Sequence, residues 1–282
     1  MTMQHNRETR QSDAWYATPA GRHVLFRERM LIAHMLTSWP RRNHSMLDMG
    51  CGSGHFLELF WNAGFDVTGV EEREECLKLS REKIGQRAAL RQSNLEHLPF
   101  DDNDFDFVTI VTALERVKNP EKVLREAFRV ATHGVLVLFF NSWSLYRFEQ
   151  LLNMGCGKKE ATLKTDMVLS PAVEGDGENG VGNGKFLDDG HEGACFFQPP
   201  LWLSPSRLCR MILHESGRRP SAFRSTLFRP SWFWRSEDPP RWSLGRTNIF
   251  PFGAVAAFRV DLSPLSGTTV KLVARNPLQA LR

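Results

Sequence analysis

The chain is 282 residues long, with an apolar fraction of 41% and a formal net charge of +4 at pH 7. That length is enough for one large domain or two small ones, and so mild a charge favours no particular partner. The longest strongly apolar run, Val135 to Phe140, is too short to cross a membrane, and segment 1–13 is polar. We therefore expect neither a transmembrane segment nor a secretory signal. The scattered cysteines lack CxxC or metal-ligand spacing, which predicts reduced thiols, no bound metal and a cytoplasmic location.

The first part of the chain is predicted to be helical. Residues 13–40 suggest one or two helices that end at Pro40, so residues 1–40 are interpreted as a helical cap. From Ser45 onward, strand, loop and helix alternate. Strands are expected at 46–49, 65–70, 88–91, 105–112 and 135–140, with helices between them. This alternation predicts a parallel, doubly wound α/β sheet.

The second half of the chain has a looser pattern. Residues 172–194 contain seven glycines and several acids, which predicts a flexible insertion, and residues 229–250 are a second insertion rich in Trp and Arg. A helix is expected from Pro205, and the last two strands at 223–228 and 254–260. We therefore assign one α/β domain to residues 41–262 and a tail to residues 263–282.

A glycine loop at 48–54 follows the first strand. A P-loop would need Lys-Ser or Lys-Thr after the last glycine, where this chain has His55 and Phe56. A dinucleotide fingerprint has the spacing GxGxxG, whereas this loop has GxGxG, and the carboxylate of Asp48 would repel two phosphates. Glycines allow a ligand to approach the backbone closely, and the acid favours a ligand with positive charge and no phosphate. S-adenosylmethionine, which carries an ammonium and a sulfonium, meets both conditions.

Four segments resemble, in order, the motifs of the class I S-adenosylmethionine-dependent methyltransferases. These segments are LDMGCGSG at 47–54, VTGVEERE at 67–74, SNLEHLPFDDNDFDFV at 93–108 and TALERVKNPEKVLREAFRV at 112–130. The resemblance extends over about residues 45–142 and is nearest to the loosely specified type 11 group, which includes quinone-biosynthesis methyltransferases. It implies a Rossmann-like, doubly wound seven-stranded sheet, mostly parallel with an antiparallel last strand. N-terminal helices and a substrate-side insertion would complete this fold.

The resemblance also implies a cofactor site. Asp48 matches the acid near the ammonium, and Glu71 matches the acid that binds the ribose hydroxyls. Asn94 replaces an aspartate that accepts from the adenine amino group, and its side-chain carbonyl can accept the same bond. The N–H of Leu95 would face adenine, and Thr112 would lie at the methyl-bearing end. The residues expected to contact S-adenosylmethionine, or its product S-adenosylhomocysteine, are Asp48, Gly50, Cys51, Gly52, Gly54, Glu71, Glu72, Asn94, Leu95 and Thr112.

Catalytic residues are harder to predict, because the cofactor supplies the reactivity and a general base is needed only when the nucleophile is protonated. The candidates are Glu115, Tyr16 and Tyr146. Glu115 is equally well explained as a helix-start acid, and the aromatic residues as cover for the sheet edge. The expected acceptor is a small molecule, with a hydrophobic one among the options.

Two other functions remain open from the sequence. Residues 207–246 contain nine arginines, three acids and interleaved aromatics, a pattern that could bind RNA through phosphates and stacking. An RNA methyltransferase is therefore an alternative, although no appended RNA-binding module is visible and nucleic acid is disfavoured as a partner. The other alternative is a non-catalytic scaffold that keeps the cofactor fold. Cofactor binding and the effect of RNA on it would separate the three hypotheses.

Overall fold

A computed structural model of the protein describes residues 16–144, 203–226 and 253–263. Several predictions fall outside these residues: both insertions, the catalytic candidate Tyr146 and nearly all of the tail. The helices and strands of the described part are, in chain order, α1 Pro19–Met35, β1 Ser45–Met49, α2 Leu57–Ala63, β2 Asp66–Glu71, α3 Glu74–Ile84, β3 Ala88–Gln92, β4 Phe105–Val111, α4 Pro120–Val130, β5 Ala131–Phe140, α5 Pro205–Ser216, β6 Ala222–Thr226 and β7 Val255–Asp261.

The strands form one seven-stranded sheet in the order β3-β2-β1-β4-β5-β7-β6. Strands β1 to β5 pair in parallel, whereas β7 is antiparallel to both of its neighbours, β5 and β6. The predicted fold class, including the antiparallel last strand, is therefore confirmed. The winding reverses between β1 and β4, and in open α/β sheets ligands bind beyond the carboxyl ends of strands at such a switch point.

Burial explains why these segments form strands and helices. Residues 134–140 of β5 are buried at every position, as expected for a strand covered on both faces. The helix α4 begins at Pro120, a residue suited to the first helical position, and buries Val123, Leu124 and Ala127. Asn119, just before it, makes no side-chain capping bond, and its amide donates instead to the carboxylate of Glu96 at 2.8 Å. A charged acceptor makes the stronger hydrogen bond.

The helix α1 packs on the sheet beside the strands that come last in the chain. Its residues Leu31 and Ile32 are completely buried. Burying each of these side chains stabilises the folded protein by about 1.5–3 kcal/mol. The guanidinium Nε of Arg27 donates to Thr226 Oγ1 in β6 at 2.9 Å. Just after α1, the indole N–H of Trp39 donates to Asp261 Oδ1 in β7, also at 2.9 Å. The Arg27 bond lies level with the carboxyl end of β5 and the Trp39 bond level with its amino end, so α1 runs along the sheet from the first level towards the second.

Candidate functional site

The glycine loop after β1 is held by backbone bonds to β2. The N–H groups of Gly50 and Cys51 both donate to the carbonyl of Val70, at 2.7 and 3.0 Å. Ser80 Oγ in α3 donates to the carbonyl of Gly52 at 2.9 Å. Gly50, Gly52 and Gly54 all have positive φ, at 77°, 55° and 80°, a region that side-chain-bearing residues rarely adopt. The sequence therefore needs glycine at all three positions for conformational reasons alone.

The three loop glycines differ in what surrounds them. A Cβ on Gly50 would lie 2.6 Å from Ala113 Cβ, and one on Gly54 would lie 2.7 Å from Ser80 Oγ. A Cβ on Gly52 would meet no atom of the described residues within 4 Å. Gly50 and Gly54 are thus required by packing within the protein. The outer face of Gly52 opens onto space that a ligand can occupy.

Asp48 places a buried carboxyl beneath this loop. Its Oδ1 accepts a hydrogen bond from Thr109 Oγ1 of β4 at 2.9 Å. Its Oδ2 is buried and has no hydrogen-bond partner within the described part of the chain. Burial raises the pKa of Asp48 to about 7. The hydrogen bond from Thr109 lowers this pKa, and the negative charge of nearby Glu71 raises it further. An unpartnered buried oxygen beside a second carboxylate favours a cationic or hydrogen-bond-donating ligand.

Glu71, the predicted ribose ligand, lies at the end of β2 and contacts the loop directly. Its Oε2 accepts the N–H of Gly52 at 3.0 Å, and its Oε1 accepts the side-chain Nε of Arg73 at 2.9 Å. These bonds orient the carboxylate next to the open face of Gly52. Each carboxylate oxygen retains acceptor capacity, so ribose hydroxyls can add to the present bonds.

The predicted adenine contacts, Asn94 and Leu95, each make a hydrogen bond to another residue of the protein. The N–H of Leu95 donates to Glu72 Oε1 at 3.1 Å, and Asn94 Oδ1 accepts the N–H of Glu96 at 2.7 Å. Asn94 therefore closes a local turn. Adenine recognition by these residues stays a prediction, and for Leu95 it would require the side chain of Glu72 to move.

The segment after β4 lies across the loop from Asp48. Thr112 adopts φ of 49°, and its N–H donates to the carbonyl of Leu138 at 2.9 Å. A β-branched residue in this region is strained and marks a position fixed by its surroundings. Glu115 is buried, and its Oε1 accepts the N–H of Phe140 at 2.7 Å. Its Oε2 has no hydrogen-bond partner in residues 16–144, 203–226 and 253–263. Burial raises the pKa of Glu115 to about 7.

A second buried acid comes from α1 and was not predicted from the sequence. Glu28 has no exposed surface, and its Oε2 accepts the hydroxyl of Tyr16 at 3.4 Å. The ring of Tyr16 lies 4.6 Å from that of His55, just beyond the glycine loop, so this end of α1 adjoins the loop. Burial raises the pKa of Glu28 to about 8, with a further rise from the negative charge of Glu115.

One group in the described residues brings three potential metal ligands together, at the opposite edge of the sheet. Asp106 Oδ1 lies 3.3 Å from His44 Nδ1 and 3.5 Å from His133 Nε2. Asp106 Oδ2 accepts the N–H of Ser45 at 2.8 Å, and His133 Nδ1 lies 2.8 Å from Ser263 Oγ. These polar contacts account for the group, and we assign no metal to it.

Comparisons with known proteins agree with this geometry. A family described as a methyltransferase domain matches residues 47–139. The ubiquinone/menaquinone biosynthesis C-methyltransferase of Pseudoalteromonas translucida is 32% identical over 139 residues, covering 42% of this chain and 55% of the relative. The demethylmenaquinone methyltransferase of Lactiplantibacillus plantarum is 36% identical over 100 residues, covering 33% of this chain and 42% of the relative. The chain thus spans about half the length of the curated relatives it matches.

Solved structures show the same fold across most of the chain. A possible histamine N-methyltransferase of Thermotoga maritima superposes with a TM-score of 0.61 at 17% identity, covering 93% of this chain and all of that structure. Magnesium protoporphyrin IX methyltransferase of Synechocystis, solved with bound S-adenosylhomocysteine, gives 0.54 at 11% identity, covering 89% of this chain and 92% of that structure. Both structures thus share the fold of this chain. Residues 47–139 match the methyltransferase-domain family.

Proposed function

We propose that this protein transfers a methyl group from S-adenosylmethionine to a small-molecule acceptor by in-line displacement. The observation that supports this most directly is the open face of Gly52, bordered by the unpartnered Oδ2 of Asp48 and the carboxylate of Glu71. A cationic cofactor that carries a ribose matches this set of groups in charge and in hydrogen bonding. Residues Asp48, Gly50, Cys51, Gly52, Gly54, Glu71, Glu72, Asn94, Leu95 and Thr112 are proposed to line its site.

The protein contributes position and a dry environment to the reaction. The cofactor, when bound, supplies an activated methyl carbon on a sulfonium, so little covalent chemistry is left to the protein. Asp48 would balance the positive charge, and Glu71 would orient the ribose and, through Gly52, the loop. Thr112, held in its strained conformation, closes the end of the site where methyl transfer takes place. Holding the acceptor in line is the largest contribution such a site can make.

The acceptor is proposed to be hydrophobic and to be methylated at carbon. This part of the proposal rests on the curated relatives, which are quinone-biosynthesis methyltransferases, one of them a C-methyltransferase by name. The comparisons favour neither an RNA methyltransferase nor a non-catalytic scaffold. None of the helices in the described ranges combines the length and the hydropathy that a membrane crossing requires. A cytoplasmic location remains part of the proposal and is tested by cell fractionation.

Two experiments test the proposed function. Isothermal titration calorimetry should show S-adenosylmethionine binding at micromolar levels and much weaker NAD binding; comparable or tighter NAD binding contradicts the cofactor assignment. Cell extract incubated with methyl-labelled cofactor should then carry label in an organic-soluble, low-molecular-weight fraction. Label in the RNA fraction would support the alternative function instead.

A further inference from the structure

Two carboxyl groups, those of Glu28 and Glu115, are buried and each has one oxygen without a hydrogen-bond partner among the described residues. Glu28 comes from α1, and Glu115 comes from the segment that follows β4. Glu28 has no exposed surface and Glu115 is 3% exposed. The two are close enough for the charge of Glu115 to raise the pKa of Glu28. A pair of acids so placed is costly to bury, so its surroundings should compensate for it.

Each acid of this pair has one carboxyl oxygen that is hydrogen-bonded within the described residues. Glu28 Oε2 accepts the Tyr16 hydroxyl at 3.4 Å, and Glu115 Oε1 accepts the N–H of Phe140 at 2.7 Å. The second oxygen of each group, Oε1 of Glu28 and Oε2 of Glu115, is buried and has no hydrogen-bond partner among the residues that the structure describes. A role in capping Phe140 alone would be served by a glutamine. The two remaining oxygens therefore call for donors that the described residues do not supply.

The position of the pair relates it to the acceptor. Glu115 comes three residues after Thr112. Ala113, between them, packs against Gly50 of the glycine loop so closely that a Cβ added to Gly50 would lie 2.6 Å from Ala113 Cβ. Its partner Phe140 is the last residue of β5. The pair thus lies beyond the carboxyl ends of β4 and β5, next to the cofactor loop. An acceptor in line with the methyl group would approach from this side.

We propose that Glu28 and Glu115 form the polar end of the acceptor site and take up the proton that a protic acceptor loses. This inference rests on the proposed function. The acceptor class is a molecule that carries an O–H or N–H group, either at the atom that is methylated or, for methylation at carbon, on the neighbouring ring carbon. Each unpartnered oxygen can accept a hydrogen bond from such a group and orient it toward the methyl carbon.

The proton balance of the step is simple. The acceptor's O–H or N–H bond breaks, and its proton moves to a carboxylate oxygen of the pair. The electron pair left on the acceptor forms the bond to the methyl carbon, while the old carbon–sulfur pair remains on sulfur. When a ring carbon beside a hydroxyl is methylated instead, loss of the hydroxyl proton supplies electron density to that carbon. The ring proton lost afterwards restores the hydroxyl, so one proton is released in each case.

The charge environment suits this role. The other charged or titratable groups that influence the pair in the described residues are Tyr16, which bonds to Glu28, and Arg116, whose positive charge lowers the pKa of both acids. Burial nevertheless dominates and raises the pKa of both groups to near neutrality, to about 8 for Glu28 and about 7 for Glu115. A base that titrates near the working pH is the most effective one for general-base catalysis.

The pair is tested with Glu28→Gln and Glu115→Gln in the full chain, with Glu121→Gln, an exposed acid of α4, as the control. Glutamine keeps an acceptor for the Tyr16 hydroxyl and for the Phe140 N–H, so both variants should fold. The first readout is NMR titration of protein labelled with ¹³C at glutamate carboxyls, which needs no acceptor. It should show two carboxyls that titrate near neutral pH, and removing Glu115 should lower the pKa of Glu28.

The second readout is transfer of labelled methyl from S-adenosylmethionine to cell extract across pH. Either variant should lose transfer by about 100-fold or more, the scale of general-base catalysis, while Glu121→Gln does not. Cofactor affinity should stay within about threefold in all variants, and wild-type transfer should rise with pH through neutrality. Product mass spectrometry then separates hydroxyl from amine acceptors. Undiminished transfer in both variants, with normal cofactor binding, overturns only this inference, whereas a wild type that binds no cofactor overturns the proposed function as well.

Discussion

Gly52 offers the sharpest test of the cofactor site, because its replacement separates conformation from ligand contact. An alanine at this position, with φ of 55°, costs about 1–2 kcal/mol of backbone strain. Its Cβ would meet no protein atom within 4 Å, so the strain is the whole expected cost to folding. The same methyl group would project into the space assigned to the cofactor. We expect Gly52→Ala to weaken S-adenosylmethionine binding at least about tenfold, or about 1.4 kcal/mol.

Gly217, at the end of α5, is a matched control. It has φ of 66°, and a Cβ there also meets nothing within 4 Å. Gly217→Ala should therefore lose a similar free energy of unfolding while cofactor affinity stays at the wild-type value. Denaturant unfolding measures the first quantity and calorimetric titration the second. If Gly52→Ala remains folded and binds the cofactor as tightly as the wild type, the open face of Gly52 is not part of the cofactor site.

Three further predictions concern the acidic residues. Glu71→Ala should weaken cofactor binding by about 2–4 kcal/mol, or roughly 30- to 1,000-fold, because charge-assisted bonds to the ribose are lost. The control Glu74→Ala removes a surface ion pair to Arg81 and should leave cofactor binding unchanged. A calorimetric change under about threefold for Glu71→Ala argues against the ribose role. Burial raises the pKa of Asp48 to about 7, so binding of the cationic cofactor should displace a proton from this carboxyl. Cofactor affinity should therefore fall as pH drops below about 7. If Asp48→Asn shows the same dependence of cofactor affinity on pH, the assignment of Asp48 is wrong. Between pH 4.5 and about 8, Glu28 is protonated in the native state and ionised in the unfolded state. The free energy of unfolding should therefore fall as pH rises through this window, by at most about 5 kcal/mol. Glu28→Gln should flatten this fall when unfolding is measured across pH, and an unchanged curve would mean that Glu28 is ionised in the fold.

The glycine loop and the strand that ends at Glu71 could be predicted because their signals are local in sequence. The loop directly follows β1, its three glycines have positive φ, and Glu71 ends β2. The doubly wound sheet and its antiparallel β7 followed from the family resemblance. These features depend on few residues close together, so a single sequence is enough to identify them.

Glu28 could not be predicted, because its burial depends on residues far away in the sequence. Within α1 it lies among charged residues, between Arg27 and Arg29, where an exposed face would be expected. Only the folded chain places it against Tyr16 and Glu115. The bonds of Asn94 and Asn119 were equally out of reach, since a side chain with several available acceptors and donors selects among them only in three dimensions.

The anchoring of α1 has a consequence for the order in which the chain can fold. Arg27 bonds to a residue 199 positions later, and the carbonyl of Met35 accepts from Arg259, 224 positions later. The strands β1 to β5 can pair within one continuous stretch of about a hundred residues, but α1 gains these partners only once β6 and β7 are in place. Contacts of such separation carry the largest loop-closure cost and form late. The cofactor half of the site should therefore assemble first, and Glu28 of α1 should reach its place in one of the final folding steps. An incompletely folded chain could then bind the cofactor before it is able to transfer the methyl group.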